Sequence, residues 1–238
     1  MASDAHAVFK EQAALRAVAG EVRDGMVVGL GTGSTAAFVL KELARRIRDD
    51  RWHIQGIPTS ERTAAEARRL GISLTTLDAV PDVVLDGTDQ LDPVLNLVKG
   101  GGGAHAREKL VALASRRVVI VGDYTKAVPS LHGPVPVEVL AFGLPWVMRV
   151  LQERIPGSRP QVRLEDGRPA FSDNGNMLVD VLCGPLDDPQ ATADLLDSIS
   201  GIVDHGLFIG IADVAYLAGP DGVRRLVPPT RSTARPTR

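Results

Sequence analysis

Short β-branched and apolar runs near Val27, Ile54, Val83 and Val118 alternate with stretches rich in helix formers at residues 36–48, 61–70 and 107–115. This alternation constrains the fold more than any other feature, because parallel strands need a long, usually helical, crossover to bring the chain back alongside itself. It predicts an α/β fold: a Rossmann-like parallel sheet covered by helices. A helix over residues 7–23 precedes the first strand. Beyond Pro129 the texture changes, and Pro134, Pro136, Pro145, Pro156 and Pro160 punctuate shorter units. Pro145 suits the first turn of a helix reaching Glu153. Strand-like residues 161–164 and 177–182, followed by a helical stretch at 190–200, predict a smaller inserted α+β subdomain.

Three glycine-rich turns fall at the ends of these units. Lys99 is followed by Gly100, Gly101, Gly102 and Gly103, and then by a helical stretch carrying Glu108. Four consecutive glycines cost conformational entropy unless a bound group or a tight backbone path requires them. Feeding a helix start, such a loop presents amide groups and a positive dipole end to an anion. Glu108 in the first turns also suits the dipole without any chemistry. The segment Asp86-Gly87-Thr88-Asp89 closes the apolar run at residues 83–85, placing two carboxylates at the carboxyl end of a buried strand, where open α/β sheets put their ligands. Paired acids can divide acid and base roles, although Asp-Gly is turn chemistry as well. The third turn, residues 29–35, includes Thr32, Gly33, Ser34 and Thr35 between a strand and a helix. Ser34 stands where a dinucleotide fingerprint needs glycine, and no lysine follows Gly33 as a Walker loop requires. A simple phosphate ester fits this cradle better than NAD or ATP; a glycine turn needed only for packing is the bland alternative.

Seven ordered segments carry a family resemblance: GLGTGSTA (29–36), IPTSERTAAEA (57–67), LDGTDQLD (85–92), LVKGGGGAHAREKLVA (97–112), PVPVEVLAFG (134–143), FSDNGNMLVDV (171–181) and GLFIGIADVAYLAG (206–219). Together they resemble type A ribose-5-phosphate isomerases over nearly the whole chain. The resemblance implies that Glu108 is the base, that Asp86, Asp89 and Lys99 line the reacting oxygens, and that Thr32, Gly33, Ser34 and Thr35 bind substrate. It implies further substrate contacts from Gly87, Thr88, Lys126 and the backbone amides of Gly100, Gly101 and Gly102. The chain departs from the family at Thr88, where alanine is usual, at Gln90, where glutamate is usual, and at Ile211, where arginine is frequent. The family also carries a lysine in the first helix near Glu11; Lys10 is one position away and is not counted as its equivalent. The implied organisation is a catalytic domain of residues 1–132 and 208–227, an α+β subdomain of 133–207, and a return to the main sheet near 213–217.

The implied reaction interconverts D-ribose 5-phosphate and D-ribulose 5-phosphate in the non-oxidative pentose phosphate pathway. It moves one proton between C2 and C1 and another between O1 and O2 through an enediolate, so it needs no redox cofactor and no metal. A carboxylate of raised pKa can shuttle the carbon-bound proton, and an ammonium group beside the developing oxyanion stabilises it where water is excluded. The rival reading is a noncatalytic sugar-phosphate-binding or sensing protein of the same superfold. Retention of Glu108 and Lys99 with both aspartates favours the enzyme.

Composition sets the remaining bounds. A net charge of −2 and an aromatic content of 4% do not provide the basic, aromatic-studded face that nucleic-acid binding demands. No apolar run approaches the ~20 residues of a membrane helix. Cys183 is the single cysteine, so one chain can form neither a disulfide nor a cysteine-rich metal site, and a cytoplasmic location is the expectation. His105 lies next to the glycine loop and is read as a solvated helix-start residue. From residue 228 onward no large apolar side chain remains, and a disordered tail is expected. A homodimer or homotetramer is implied by the resemblance alone.

Overall fold

The computed structural model describes residues 2–229, with side chains from His6 onward. A long helix α1 (Ala2–Glu21) leads into β1 (Val27–Leu30), α2 (Ser34–Asp49), β2 (Gln55–Pro58), α3 (Glu61–Arg69), β3 (Ser73–Leu74) and β4 (Val83–Asp86). Two short strands, β5 (Gln90–Leu91) and β6 (Leu97–Val98), precede α4 (His105–Ala114) and β7 (Val118–Asp123). Next come β8 (Val135–Val139), α5 (Leu144–Arg154), β9 (Arg159–Val162), the hairpin β10 (Leu164–Glu165) and β11 (Arg168–Pro169), β12 (Met177–Leu182) and α6 (Pro189–Asp197). The last strands are β13 (Ile202–His205), β14 (Leu207–Phe208), β15 (Val214–Gly219) and β16 (Gly222–Leu226).

The main sheet has the order β16-β15-β7-β4-β1-β2-β3. All its neighbours run parallel except β15 and β16, which form an antiparallel hairpin. The expected parallel sheet therefore gains an antiparallel edge. Arg224 and Arg225 on that edge are the kind of charged residues that blunt an open strand. From β1 the chain goes outward to β2 on one side and returns to β4 on the other. That reversal opens a crevice at the carboxyl ends of β1 and β4, the place where doubly wound sheets bind ligands.

Helix α2 buries Ala36, Val39, Leu40, Leu43 and Ala44. Their spacing draws one apolar stripe along a 3.6-residue period, which is why this segment is helical and which face meets the sheet. On α1 the buried face is Ala13, Ala14, Ala17 and Val18, and these small side chains let the helix lie close to β7 and β15. Each fully buried valine or leucine contributes about 1.5–3 kcal/mol.

A second sheet, β13-β8-β12-β9, is antiparallel throughout. Val135, Val137, Val139, Val179 and Val181 form its buried side against Val147 and Leu151 of α5 and Leu196 of α6. The prolines of residues 134–139 conceal β8 from a reading of the sequence, yet Pro136 lies within the strand opposite Asp180. The strand expected at 161–164 spans 159–162, and Leu164 begins a separate hairpin. The helix expected at 190–200 ends at Asp197, and the one expected from residue 7 begins at Ala2. A third, three-stranded sheet, β14-β6-β5, takes β5 and β6 from between β4 and β7 of the main sheet and joins residues 90–98 to 207–208. Of the tail expected from residue 228, everything beyond Pro229 lies outside the described residues.

Candidate active site

Backbone geometry builds the floor of the crevice. Gly31 donates its amide to Leu85 O at 3.0 Å, which carries the β1 turn across the end of β4. Only glycine fits there, because a Cβ on Gly31 would sit 2.1 Å from Asp86 Oδ1. The same carboxylate oxygen accepts the amides of Thr32 at 3.1 Å and Gly87 at 2.7 Å. Asp86 is thus aimed by two backbone donors before any other side chain reaches it.

Lys99 is set from the opposite direction. Its amide bonds to Gly206 O at 2.8 Å, so the strand ladder of the third sheet brings residues far apart in sequence to the same crevice. The Lys99 ammonium lies 3.0 Å from Asp86 Oδ2, 3.2 Å from Glu108 Oε2 and donates to Gly87 O at 2.6 Å. All three charged side chains are nearly inaccessible. Burial pushes both carboxyl groups up. At Asp86 the Lys99 charge and two amides oppose that effect. At Glu108 the neighbouring Asp86 charge adds to burial, Lys99 offsets only part of it, and the pKa reaches about 8. Burial also works against the Lys99 ammonium, but Asp86 and Glu108 outweigh it and raise its pKa.

The crevice, open to solvent and spanning about 480 Å³ with the solvent at its mouth, is lined by Lys10, Thr32, Gly33, Ser34, Thr35, Gly87, Thr88, Asp89, Lys99, Gly100, Gly101, Gly102, Glu108 and Lys126. Every residue singled out from the sequence lines it except Asp86, which lies beneath it in contact with Lys99. Asp89 accepts the Gly101 amide at 2.8 Å. The helix α4, whose N-cap residue Ala104 offers no side-chain cap, begins directly behind the glycine loop, leaving its first amides for an anion or the loop itself.

Several residues play parts that the sequence reading did not foresee. Lys10, not counted there, lines the crevice and donates to Ser34 Oγ at 3.0 Å. The Thr32 hydroxyl is committed to Thr59, Ser60 and Thr63 at 2.8, 2.8 and 3.1 Å, and Thr63 in turn donates to Gly31 O at 3.0 Å. This buried hydroxyl cluster braces the first turn. The Thr88 hydroxyl donates to Gln90 O and Val98 O at 2.6 and 3.0 Å, fastening the turn after β4 to the β5 and β6 backbones rather than facing the paired acids as a free donor. Gln90 is spent on His132, through its backbone at 3.0 and 2.9 Å.

His105 corrects the expectation of a solvated residue: it is fully buried, and burial drives its pKa down to about 3, so the ring is neutral. It packs beneath Gly100, where a Cβ would meet its Nδ1 at 2.8 Å. Among the described residues, no cluster of three or more His, Cys, Asp or Glu side chains is arranged to hold a metal ion, and no helix is long and apolar enough to cross a membrane.

A buried acid–lysine–acid set at the switch point of a doubly wound sheet, faced by glycine amides and two further lysines, defines an α/β protein whose crevice suits a small phosphorylated substrate. Residues 55–222 match the family described as ribose 5-phosphate isomerase A (phosphoriboisomerase A). Ribose-5-phosphate isomerase A of Chloroflexus aurantiacus is 50% identical over 223 residues, covering 91% of this chain and 92% of its own; that of Methanosarcina acetivorans is 44% identical, covering 92% and 94%. The solved ribose 5-phosphate isomerase of Plasmodium falciparum superposes with a TM-score of 0.90 at 36% identity, over 94% of this chain and 100% of that one. A D-ribose-5-phosphate isomerase solved in complex with phospho-erythronic acid superposes at 0.89 with 32% identity, over 93% of this chain and 99% of that one. The chain belongs to the ribose 5-phosphate isomerase A family.

Proposed function

We propose that this protein interconverts D-ribose 5-phosphate and D-ribulose 5-phosphate with Glu108 as the base. The observation that carries the assignment is the position of Glu108: a carboxyl group of pKa about 8, buried beside Lys99 at the floor of a crevice that is otherwise polar. In its ionised form Glu108 lifts the proton from C2 of the open-chain aldose and returns it to C1, the two carbons being adjacent. Negative charge then develops on the oxygens at C1 and C2. The Lys99 ammonium stabilises that charge in a site that excludes bulk water, where such an interaction is strongest. Asp86 holds Lys99 in place, and Asp89 relays the hydroxyl proton between O2 and O1. No electron leaves the substrate, so the balance closes without an oxidant or reductant.

Lys10, Lys126, Ser34 and the amides of the first glycine turn form the phosphate end of the crevice in this reading. Binding energy collected there positions the reacting carbons at the far end. The exposed Leu140, Phe142 and Trp146 form an apolar patch at the start of α5 that supports self-association, as a homodimer or homotetramer. A cytoplasmic location suits a phosphorylated substrate and a chain with one cysteine.

The test follows ribulose 5-phosphate formation in chelator-treated buffer for the unsubstituted chain and Glu108→Gln. A drop in kcat of ~10²- to 10⁴-fold in a folded variant supports Glu108 as the base. Retained activity moves the base to an aspartate. An inactive parent chain overturns the isomerase reading.

A further inference from the structure

Arg163 lies just beyond β9 of the second sheet and donates hydrogen bonds to the glycine loop. Its Nε and Nη2 pair with Asp180 Oδ2 and Oδ1 at 2.9 and 2.5 Å. Its remaining terminal nitrogen, Nη1, donates to Gly100 O at 2.8 Å and to Gly101 O at 3.3 Å. Asp180 sits within β12, paired on both sides with β8 and β9, so the guanidinium is held by a rigid strand. Both side chains are largely buried.

A trans peptide is planar, with its N–H directed opposite to its C=O. Drawing Gly100 O toward Arg163 therefore turns the Gly101 N–H the other way, and that N–H reaches Asp89 Oδ2 at 2.8 Å. Drawing Gly101 O toward Arg163 likewise turns the Gly102 N–H away from it. Four glycines in succession, one of them Gly100 at φ +104°, have no intrinsic preference for this arrangement. Within the loop the Gly103 N–H closes a turn onto Gly100 O at 2.9 Å; Arg163 adds a second donor to that carbonyl and engages Gly101 O, which the turn does not hold. Only a planar guanidinium can hold a carboxylate with two parallel bonds and still offer a donor to two carbonyls.

We propose that Arg163, oriented by Asp180, is a positioning residue for the isomerase site: it fixes the glycine-loop peptide planes so that the Gly101 amide holds Asp89 and the Gly102 amide meets substrate. The proposal rests on the active-site reading above, and it extends that site into the second sheet.

The experiment compares the parent chain with Arg163→Ala, Arg163→Lys, Asp180→Asn and the Arg163→Ala, Asp180→Asn pair. Each is measured for kcat and KM on ribose 5-phosphate, for thermal midpoint, and for the amide resonances of Gly101 and Gly102 in glycine-labelled protein. The expected result is a fall in kcat/KM of about 10- to 100-fold for Arg163→Ala, partly restored by millimolar guanidinium. Arg163→Lys falls less, the pair loses no more than Arg163→Ala alone, and the two glycine resonances move. Folded variants with kcat and KM within about twofold of the parent overturn the proposal. A loss that guanidinium does not restore and that tracks a lower thermal midpoint, with unmoved glycine resonances, overturns it as well. If Arg163→Ala does not fold, the Arg163→Lys measurements decide by the same criteria. An inactive parent chain defeats the isomerase reading alone, and the clamp is then judged on the glycine resonances, which need no turnover.

Discussion

Glu108 Oε2 lies 3.2 Å from Lys99 Nζ, and that ion pair is its one polar contact among the described residues. Asp86, by contrast, has the same ammonium at 3.0 Å and two backbone amides besides. The difference separates two buried carboxyl groups: Asp86 is held by two amides as well as the ammonium, while Glu108 is the less compensated of the pair.

The pH dependence follows from that asymmetry. A base must be ionised to act, and burial beside Asp86 raises the pKa of Glu108 to about 8. For the free enzyme, kcat/KM is expected to climb about tenfold per pH unit through the neutral range and level off above about 8. Steady-state profiles with ribose 5-phosphate check it, and Glu108→Gln is expected to lack this limb.

Stability runs the other way. The folded-state pKa of Glu108 lies above its unfolded value of 4.5. Between those two pH values the unfolded chain releases the proton while the folded one retains it, so the contribution is complete below about 4.5 and is lost as pH rises through about 8. Glu108→Gln is therefore expected to be more stable than the parent by about 1–3 kcal/mol at pH 8, with the gap closing toward pH 5. Urea denaturation at both pH values measures it.

Gly31→Ala should displace Asp86 without substituting any charged residue. The new Cβ would lie 2.1 Å from Asp86 Oδ1 and 2.6 Å from its Cα, so backbone as well as side chain must move. Stability is expected to fall by about 1–3 kcal/mol, and kcat/KM by at least about tenfold in the folded fraction. An alanine variant with normal kinetics would show that Asp86 needs no such exact placement.

Lys10→Met tests the phosphate end. Lys10 is partly exposed, lines the crevice and bonds Ser34, far along the chain from the acids. Loss of binding felt equally in ground and transition states raises KM and spares kcat. A KM increase of about tenfold, with kcat within about threefold and a weaker dependence of KM on salt, is the expected outcome.

Much of the fold could be read from local pattern. The apolar stripe of α2 satisfies the helical period, and the Val83 run and the segment at residues 177–182 are short, β-branched and bounded by turn residues, which argues for strands. Proline misled at β8, because a missing N–H argues against a strand, whereas the long antiparallel pairings with β12 and β13 on either side outweigh one absent donor. The antiparallel β16 carries too few apolar residues to announce itself.

The site shows the same division. Residue types and loop spacing, together with the resemblance they support, singled out Glu108, Asp86, Asp89 and Lys99, because glycine-rich turns at strand ends are intelligible locally. Partnership was not. That Thr32 gives its hydroxyl to Thr59, Ser60 and Thr63, that Thr88 faces the β5–β6 backbone, that His105 is buried and neutral, and that Lys10 reaches the crevice all depend on elements distant in sequence. The amino-acid sequence by itself determined most of the helices and the parallel strands and which residues can carry proton transfer, since periodicity and side-chain chemistry are local properties. Tertiary structure alone decided which carboxyl group is the less compensated and which carbonyls turn the glycine loop, because desolvation, charge proximity and peptide orientation are set by neighbours that only folding supplies.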